Sequence, residues 1–228
     1  MAIITQDYFQ GEIFIDHAKP DVSDSTTGVS DELNSDIEQY EREILVKSLG
    51  YSLFKLFSDE LDSNESNGLK VTADPKWDEL MNGLEYTIDG KTVNFRGVRF
   101  SDEAVPFDDA VRKQSLIAYY VYYFYIRKDI DTYSSAGVNR IKAANSEGVS
   151  IMGKATRAWN NFYNLTVGNY CNAKYYYNQY SLSGIDYYGS GNSERSLYEF
   201  LRDQNSLTED KYPNWEPFIF VDQNILGI

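Results

Sequence analysis

Lys113-Gln-Ser-Leu-Ile-Ala-Tyr-Tyr-Val-Tyr-Tyr-Phe-Tyr-Ile-Arg127 is the stretch whose reading decides the fold. Within it Leu116, Tyr119, Tyr120, Tyr123, Phe124 and Arg127 recur at i, i+3, i+4, i+7, i+8 and i+11, the spacing of one helix face. Ile117, Val121, Tyr125 and Ile126 make most of the remaining surface apolar. A helix that is apolar nearly all round belongs at the centre, with neighbours on several sides. The run is too short, and too rich in Tyr hydroxyls, to span a bilayer, which takes about 20 mostly apolar residues. Each Tyr brings an apolar ring and a polar tip that seeks a partner. The helix is therefore expected to meet other helices on one side and a wetter surface, such as another subunit, on the other. Tyr119 and Tyr123 are its candidate interface residues.

The elements around it follow from the same kind of pattern. The central helix is expected over 106–128, opened by Pro106, with Asp108 and Asp109 in a first turn that favours acidic groups. An amphipathic helix is predicted over 36–57, with Ile37, Tyr40, Ile44, Leu45, Leu49, Leu53 and Leu56 inside. Glu38, Glu41, Arg42, Glu43 and Lys47 fall outside. Ser35 and Glu38 fit a capping box at its start, and Gly50 interrupts its pattern. Pro75 opens a short helix through Trp77, Leu80 and Met81 that Gly83 stops. Tyr86 to Phe95, with Asp89-Gly90 between two β-prone arms, reads as a protruding hairpin. A third long helix is predicted over 151–180, and a short one over Glu194 to Gln204 with Leu197, Tyr198 and Leu201 inward.

The ends read differently. Residues 1–35 form an N-terminal arm, with Ile3, Ile4, Tyr8, Phe9, Ile13, Phe14 and Ile15 scattered along it, and a polar linker of Asp, Ser and Thr. Residues 36–180 form the helical core domain, with the hairpin at 86–95. Residues 181–228 hold a glycine-bearing hinge, the short helix and a proline-extended tail. The expected fold is thus mainly α, a helical bundle core with a small β-hairpin and extended N- and C-terminal arms. In the tail, Trp215, Phe218, Phe220 and Val221 are apolar residues that cannot form a core alone. They are expected to lie extended on a neighbouring subunit or the next ring, with Phe218–Val221 pairing as an edge strand; the alternative is that they fold back on the chain's own helices.

Composition narrows the function classes. The 228 residues carry 21 basic and 35 acidic side chains, a net charge of −14. That balance argues against tight binding to phosphate backbones, which takes clustered Lys and Arg. The 20 Tyr residues are unusual, and Tyr is enriched at interfaces. A single cysteine, Cys171, forbids an intrachain disulfide and fits a reducing compartment. No leader and no membrane span are expected from Met1-Ala-Ile-Ile-Thr-Gln-Asp7 or beyond.

The search for chemistry yields little. One histidine, His17, and Cys171 make a zinc or haem site hard to build, and any Ser–His or Cys–His nucleophile would need His17. Neither GxxxxGK[ST] nor GxGxxG is present. Asp108/Asp109 and Asp129/Asp131 suit helix capping and solvated faces better than a hard cation. No cofactor, no metal and no catalytic residue is expected. The Tyr-rich runs Tyr119–Tyr125 and Tyr175–Tyr180 suit packing better than stacking on sugars or bases.

The order of motifs carries one further expectation. Glu43-Ile-Leu-Val-Lys-Ser-Leu-Gly50 closes a helix segment. Trp77-Asp-Glu-Leu-Met-Asn-Gly83 precedes the Asp89-Gly90-Lys91 turn. Ile117-Ala-Tyr-Tyr-Val-Tyr-Tyr123, Ser134-Ser-Ala-Gly137 and Lys154-Ala-Thr-Arg-Ala-Trp-Asn160 follow. Over residues 37–165 this resembles head–tail connector (adaptor, or ring) proteins of tailed phages, most nearly those of crAss-like and related Bacteroidetes phages. The resemblance implies a structural virion protein without catalytic residues, folded in the host cytoplasm and placed in the virion neck. It implies a homo-oligomeric ring, typically of twelve copies, that bridges the portal protein to adjacent tail or ring proteins. DNA would pass through it, and an acidic channel wall would let it pass without adhesion. Two alternatives stay open: a carbohydrate-binding or tail-associated module, and a carboxylate-based hydrolase, whose carboxylate pair leaves no sequence signature.

Overall fold

The computed structural model describes residues 3–15, 27–62, 65, 68–99, 103–104, 111–112, 115–128, 132–134, 137–139, 151–168 and 193–221. Six helices lie among them: α1 (Thr27–Leu49), α2 (Tyr51–Ser58), α3 (Pro75–Asn82), α4 (Leu116–Lys128), α5 (Ile151–Thr166) and α6 (Leu197–Leu207). The strands are short: β1 (Leu84–Ile88), β2 (Lys91–Phe95), β3 (Glu103–Ala104), β4 (Val111–Arg112), β5 (Thr132–Ser134), β6 (Gly137–Asn139) and β7 (Ser193–Arg195). The fold is mainly α with a small β element, as the sequence predicts.

Helix α4 packs against both α1 and α5. Leu116, Ile117, Ala118, Tyr120, Val121, Tyr122 and Tyr123 are all buried, and Tyr119, Phe124, Tyr125 and Ile126 are partly so. Burial on nearly every side is what an all-round apolar helix requires. Its start differs from expectation. Ser115 Oγ accepts from the Ile117 amide at 3.1 Å and donates to the Val98 carbonyl at 2.7 Å, so Ser115 both caps α4 and ties it to the end of the hairpin. Upstream, Val111 and Arg112 pair antiparallel with Ala104 and Glu103 instead of joining the helix. Asp108 and Asp109 lie outside the described residues.

The first long helix also departs from prediction. α1 begins at Thr27, so Ser35 is an interior residue and not a cap. The 36–57 helix breaks at Gly50, which adopts φ 77°. A side chain there would bring its Cβ to 2.9 Å from the Glu216 carbonyl oxygen. The break therefore lets the C-terminal segment lie directly on the backbone. Past it, Phe57 turns inward while Leu56 is 45% exposed. Glu41, expected outside, is only 4% exposed.

α3 follows its sequence signals: the Asp74 side chain accepts from the Lys76 amide, Pro75 is the first helical residue and Gly83 the cap. The hairpin turn also forms as read, with Asp89 and Gly90 both at positive φ. Leu84 faces Phe95 and Ile88 faces Lys91 across β1 and β2. The hairpin's base joins a larger sheet while Asp89, Gly90, Lys91 and Thr92 at its tip stay exposed. β7 adds to β2 in parallel, Val93 opposite Ser193 and Phe95 opposite Arg195, giving a β1-β2-β7 sheet. Phe95 stacks on Phe200 of α6 with ring centroids 4.2 Å apart. A capping box forms at Ser196 and Glu199, where α6 begins.

α5 ends at Thr166, because Val167 and Gly168 turn the chain, Gly168 with φ 51°, so the helix predicted over 151–180 is cut short; residues 169–180, with the Tyr175–Tyr180 run, and most of the 181–193 hinge lie outside the described residues. The two arms are corrected outright. Ile4, Tyr8, Phe9, Ile13 and Ile15 at one end, and Tyr212 and Phe220 at the other, belong to the same buried cluster as the helices. The division into arm, core and arm does not hold for 3–15 and 212–221, because both bury their apolar side chains on the core they flank.

Candidate subunit interface

The residues nominated from sequence divide by burial. Tyr123 and Phe220 are buried, Tyr119 and Trp215 half-buried, and Phe218 and Val221 exposed. Tyr123 is occupied within the chain, its ring 4.8 Å from that of Trp159. Phe220 inserts between Trp159 and Phe162, with ring centroids at 6.1 and 5.0 Å. Trp215 packs edge-on against Tyr198 and donates its indole N–H to the Ser48 carbonyl at 3.0 Å. Tyr123 and Phe220 are therefore buried within this chain, and Trp215 is half-buried against its core.

What remains is a narrower surface. The segment after Pro217 is extended and held at three points. The Phe218 amide donates to the Lys47 carbonyl at 2.7 Å. The Tyr198 hydroxyl donates to the Phe218 carbonyl at 2.6 Å. The Trp159 indole N–H donates to the Val221 carbonyl at 2.7 Å. On this fixed strip Phe218 is 56% exposed, and Ile219 and Val221 are exposed beside it. Among the described residues, no hydrogen bond engages the backbone of Ile219 or Phe220. Ile219, exposed beside Phe218 and Val221, was not among the residues nominated from sequence.

A polar seam supports the strip from beneath. Glu43 accepts from the Tyr120 hydroxyl at 2.9 Å and from Lys47. Lys47 also lies over the Phe218 ring, 5.9 Å from its centroid. Burial alone would raise the Glu43 pKa, but the bonds from Lys47 and Tyr120 hold it below the usual carboxylate value. Burial, then Glu43, pushes the Tyr120 hydroxyl up. The seam spaces α1 from α4 and orients the strip.

A second network lies under α6. Asp203 accepts from the Tyr86 hydroxyl at 3.0 Å and pairs with Arg195 Nε and Arg202 Nη2, each at 3.1 Å. Burial and the adjacent Asp203 raise the Tyr86 pKa. A cavity of about 30 Å³ beside it is lined by Arg96, Gly97, Glu194 and Arg195, room for about one water. An open depression of about 300 Å³ carries Glu65, Lys70, Asp74 and Asp78. There Asp74 caps α3 and Asp78 accepts from Asn82, so both carboxylates serve the helix. Among the described residues no group of three His, Cys, Asp or Glu could hold a metal ion, and no helix is long and apolar enough to cross a membrane. His17, Cys171 and the pair Asp129/Asp131 lie outside the described residues.

Comparison with protein-family models, curated proteins and solved structures found no match.

Proposed function

We propose that this chain is a structural subunit of the head–tail junction of a tailed phage, forming a ring that joins portal to tail and surrounds the DNA path. One observation carries the reading: an apolar strip, Phe218, Ile219 and Val221, is exposed and yet pinned in place by Lys47, Tyr198 and Trp159. Exposed apolar groups on a segment fixed in place are a contact surface awaiting a partner. The occupant is a second copy of this chain. With a net charge of −14, two copies repel over most of their surface, and an uncharged apolar strip is where that repulsion is least. The segments over 37–165 that resemble connector proteins, and the mainly helical fold, agree with a ring subunit. The same acidity suits a channel wall to which DNA does not adhere.

The test is the mass of the purified protein, alone and with portal, by native mass spectrometry and by imaging of any particle formed. A closed ring, alone or only on the portal, is the expected result. A monomer under both conditions overturns the reading. The double substitution Phe218→Ser, Val221→Ser is expected to abolish ring formation while changing monomer stability by less than about 1 kcal/mol, because both side chains already face water. Chemical denaturation checks the second half of that statement.

A further inference from the structure

We propose that the strip of Phe218, Ile219 and Val221 docks on the opposite face of the next copy, against Phe14 and the Lys154–Arg157 side of α5. The inference rests on the ring reading above and names the surface which that reading leaves open. A patch that meets its own counterpart makes a two-fold contact, and that contact alone stops at a dimer. A ring of more than two copies takes two different, complementary patches, one on either side of the subunit. The strip is the first of them, and the layer of α1, α4 and α5 points to the second. In that layer α4 lies between α1 and α5. The C-terminal segment crosses one face: Phe218 bonds to the Lys47 carbonyl, Phe220 packs on Tyr120, and Val221 accepts from Trp159. The N-terminal segment crosses the other. Glu41 accepts from the Ile3 and Ile4 amides, Tyr122 lies near Glu12, and Arg157 and Asn161 each donate to Glu12 at 3.1 Å.

The same step separates the two faces in every helix: Glu43 from Glu41, Tyr120 from Tyr122, Trp159 from Arg157. At about 3.6 residues per turn, a step of two residues is roughly 200°, so the two segments lie on opposite sides of the layer. On the N-terminal segment Ile4, Tyr8, Phe9, Ile13 and Ile15 are buried, while Phe14 is 61% exposed. Like the strip, Phe14 is fixed as well as exposed: it stands between two buried isoleucines, and its amide donates to the Gly11 carbonyl at 3.3 Å. The other exposed large apolar residues outside the strip are Tyr51, Leu56, Val71 and Leu207. They belong to α2, the chain after it and the end of α6, not to this layer. The charges agree with the pairing. Beside Phe14, Glu12 is neutralised by Arg157, which leaves exposed Lys154 to set the sign. Beside Phe218, Lys47 is neutralised by Glu43, which leaves exposed Glu216. A basic edge on one face and an acidic edge on the other fix which way round the copies meet.

Disulfide cross-linking of the full chain tests this, with Cys171→Ser as the background and Phe14→Cys and Ile219→Cys at two exposed positions. Oxidised under the conditions that give the ring, a chain carrying both cysteines is expected to form a ladder of linked dimers, trimers and larger species on a non-reducing gel. Either cysteine alone is expected to stay unlinked, and a mixture of the two single variants to stop at linked dimers. Linked dimers from Ile219→Cys alone would reveal a two-fold contact and overturn the proposal. A closed ring by native mass spectrometry with no ladder from the double variant also overturns it, and leaves the ring reading standing. A monomer with and without portal takes both down. Phe14→Ser, made with Cys171 in place, gives a second measurement that needs no cross-link. It is expected to abolish ring formation with an unchanged circular dichroism spectrum and thermal midpoint, and a ring that still forms overturns the proposal.

Discussion

Phe220→Ala is expected to destabilise the isolated subunit by about 3–5 kcal/mol, the cost of emptying a buried aromatic site. The ring is 4% exposed and meets Tyr120, Trp159, Phe162 and Phe218, from α4, α5 and its own strand. Removing it leaves a void where α4 and α5 converge, beneath a segment 217–221 that keeps its three hydrogen-bonded anchors. Deleting residues 212–228 goes further. It also removes Tyr212, whose ring packs on Trp77 and Phe200 and whose hydroxyl donates to the Lys76 carbonyl, and Trp215, which closes the gap over Ser48. Against a total stability of about 5–15 kcal/mol for a domain, the truncated chain is expected not to fold. Circular dichroism and a denaturation curve on the monomer check both. A truncated monomer that stays folded and cooperative would return the tail to the role of an arm.

The tail shows where the sequence is legible and where it is not. That Trp215, Phe218 and Phe220 need burial follows from their chemistry. Which surface buries them does not, because the surface that receives them draws on residues as far as 167 positions away. One local signal does point to the answer: Gly50 in the middle of a helical pattern, there because Glu216 crosses it. The N-terminal segment tells the same story through Glu41. Helical spacing puts Glu41 among the outward residues, and only the docked Ile3 and Ile4 amides make its burial tolerable.

Local chemistry was readable wherever the local chain settles the outcome. The Asp89-Gly90 turn and the Asp74-Pro75 helix start need no distant partner, and both formed as read. Where two local signals compete, tertiary pairing chose. Pro106 and the acidic pair after it suggest a helix start, but the Glu103–Ala104 and Val111–Arg112 ladder takes the chain first. Ser115, immediately before the apolar run, was the better signal. Of the nominated contact residues the structure leaves Phe218 and Val221 exposed and buries Tyr123 and Phe220; apolar residues in an end segment look alike before the core they meet is known.

Asp203 is the position where a single polar change is expected to do comparable damage. Asp203→Ala should cost about 3–5 kcal/mol, the range for breaking a buried ion pair from one side. The carboxylate is 3% exposed and serves three partners at once, Tyr86 of β1, Arg195 of β7 and Arg202 of α6. Without it the guanidinium of Arg195, which is itself mostly buried, keeps Glu199 at 3.7 Å as its remaining acidic neighbour. The β7 strand then loses the tie that holds it between the hairpin and α6. The size of the loss is set by the stranded charge more than by the bonds removed, and that makes it separable. Adding Arg195→Met to Asp203→Ala should restore part of the stability, because the second change removes the charge that the first left unpaired. A double-mutant cycle from denaturation curves measures this. Full additivity of the two losses would mean that the pair is not coupled and that packing alone holds β7 on β2.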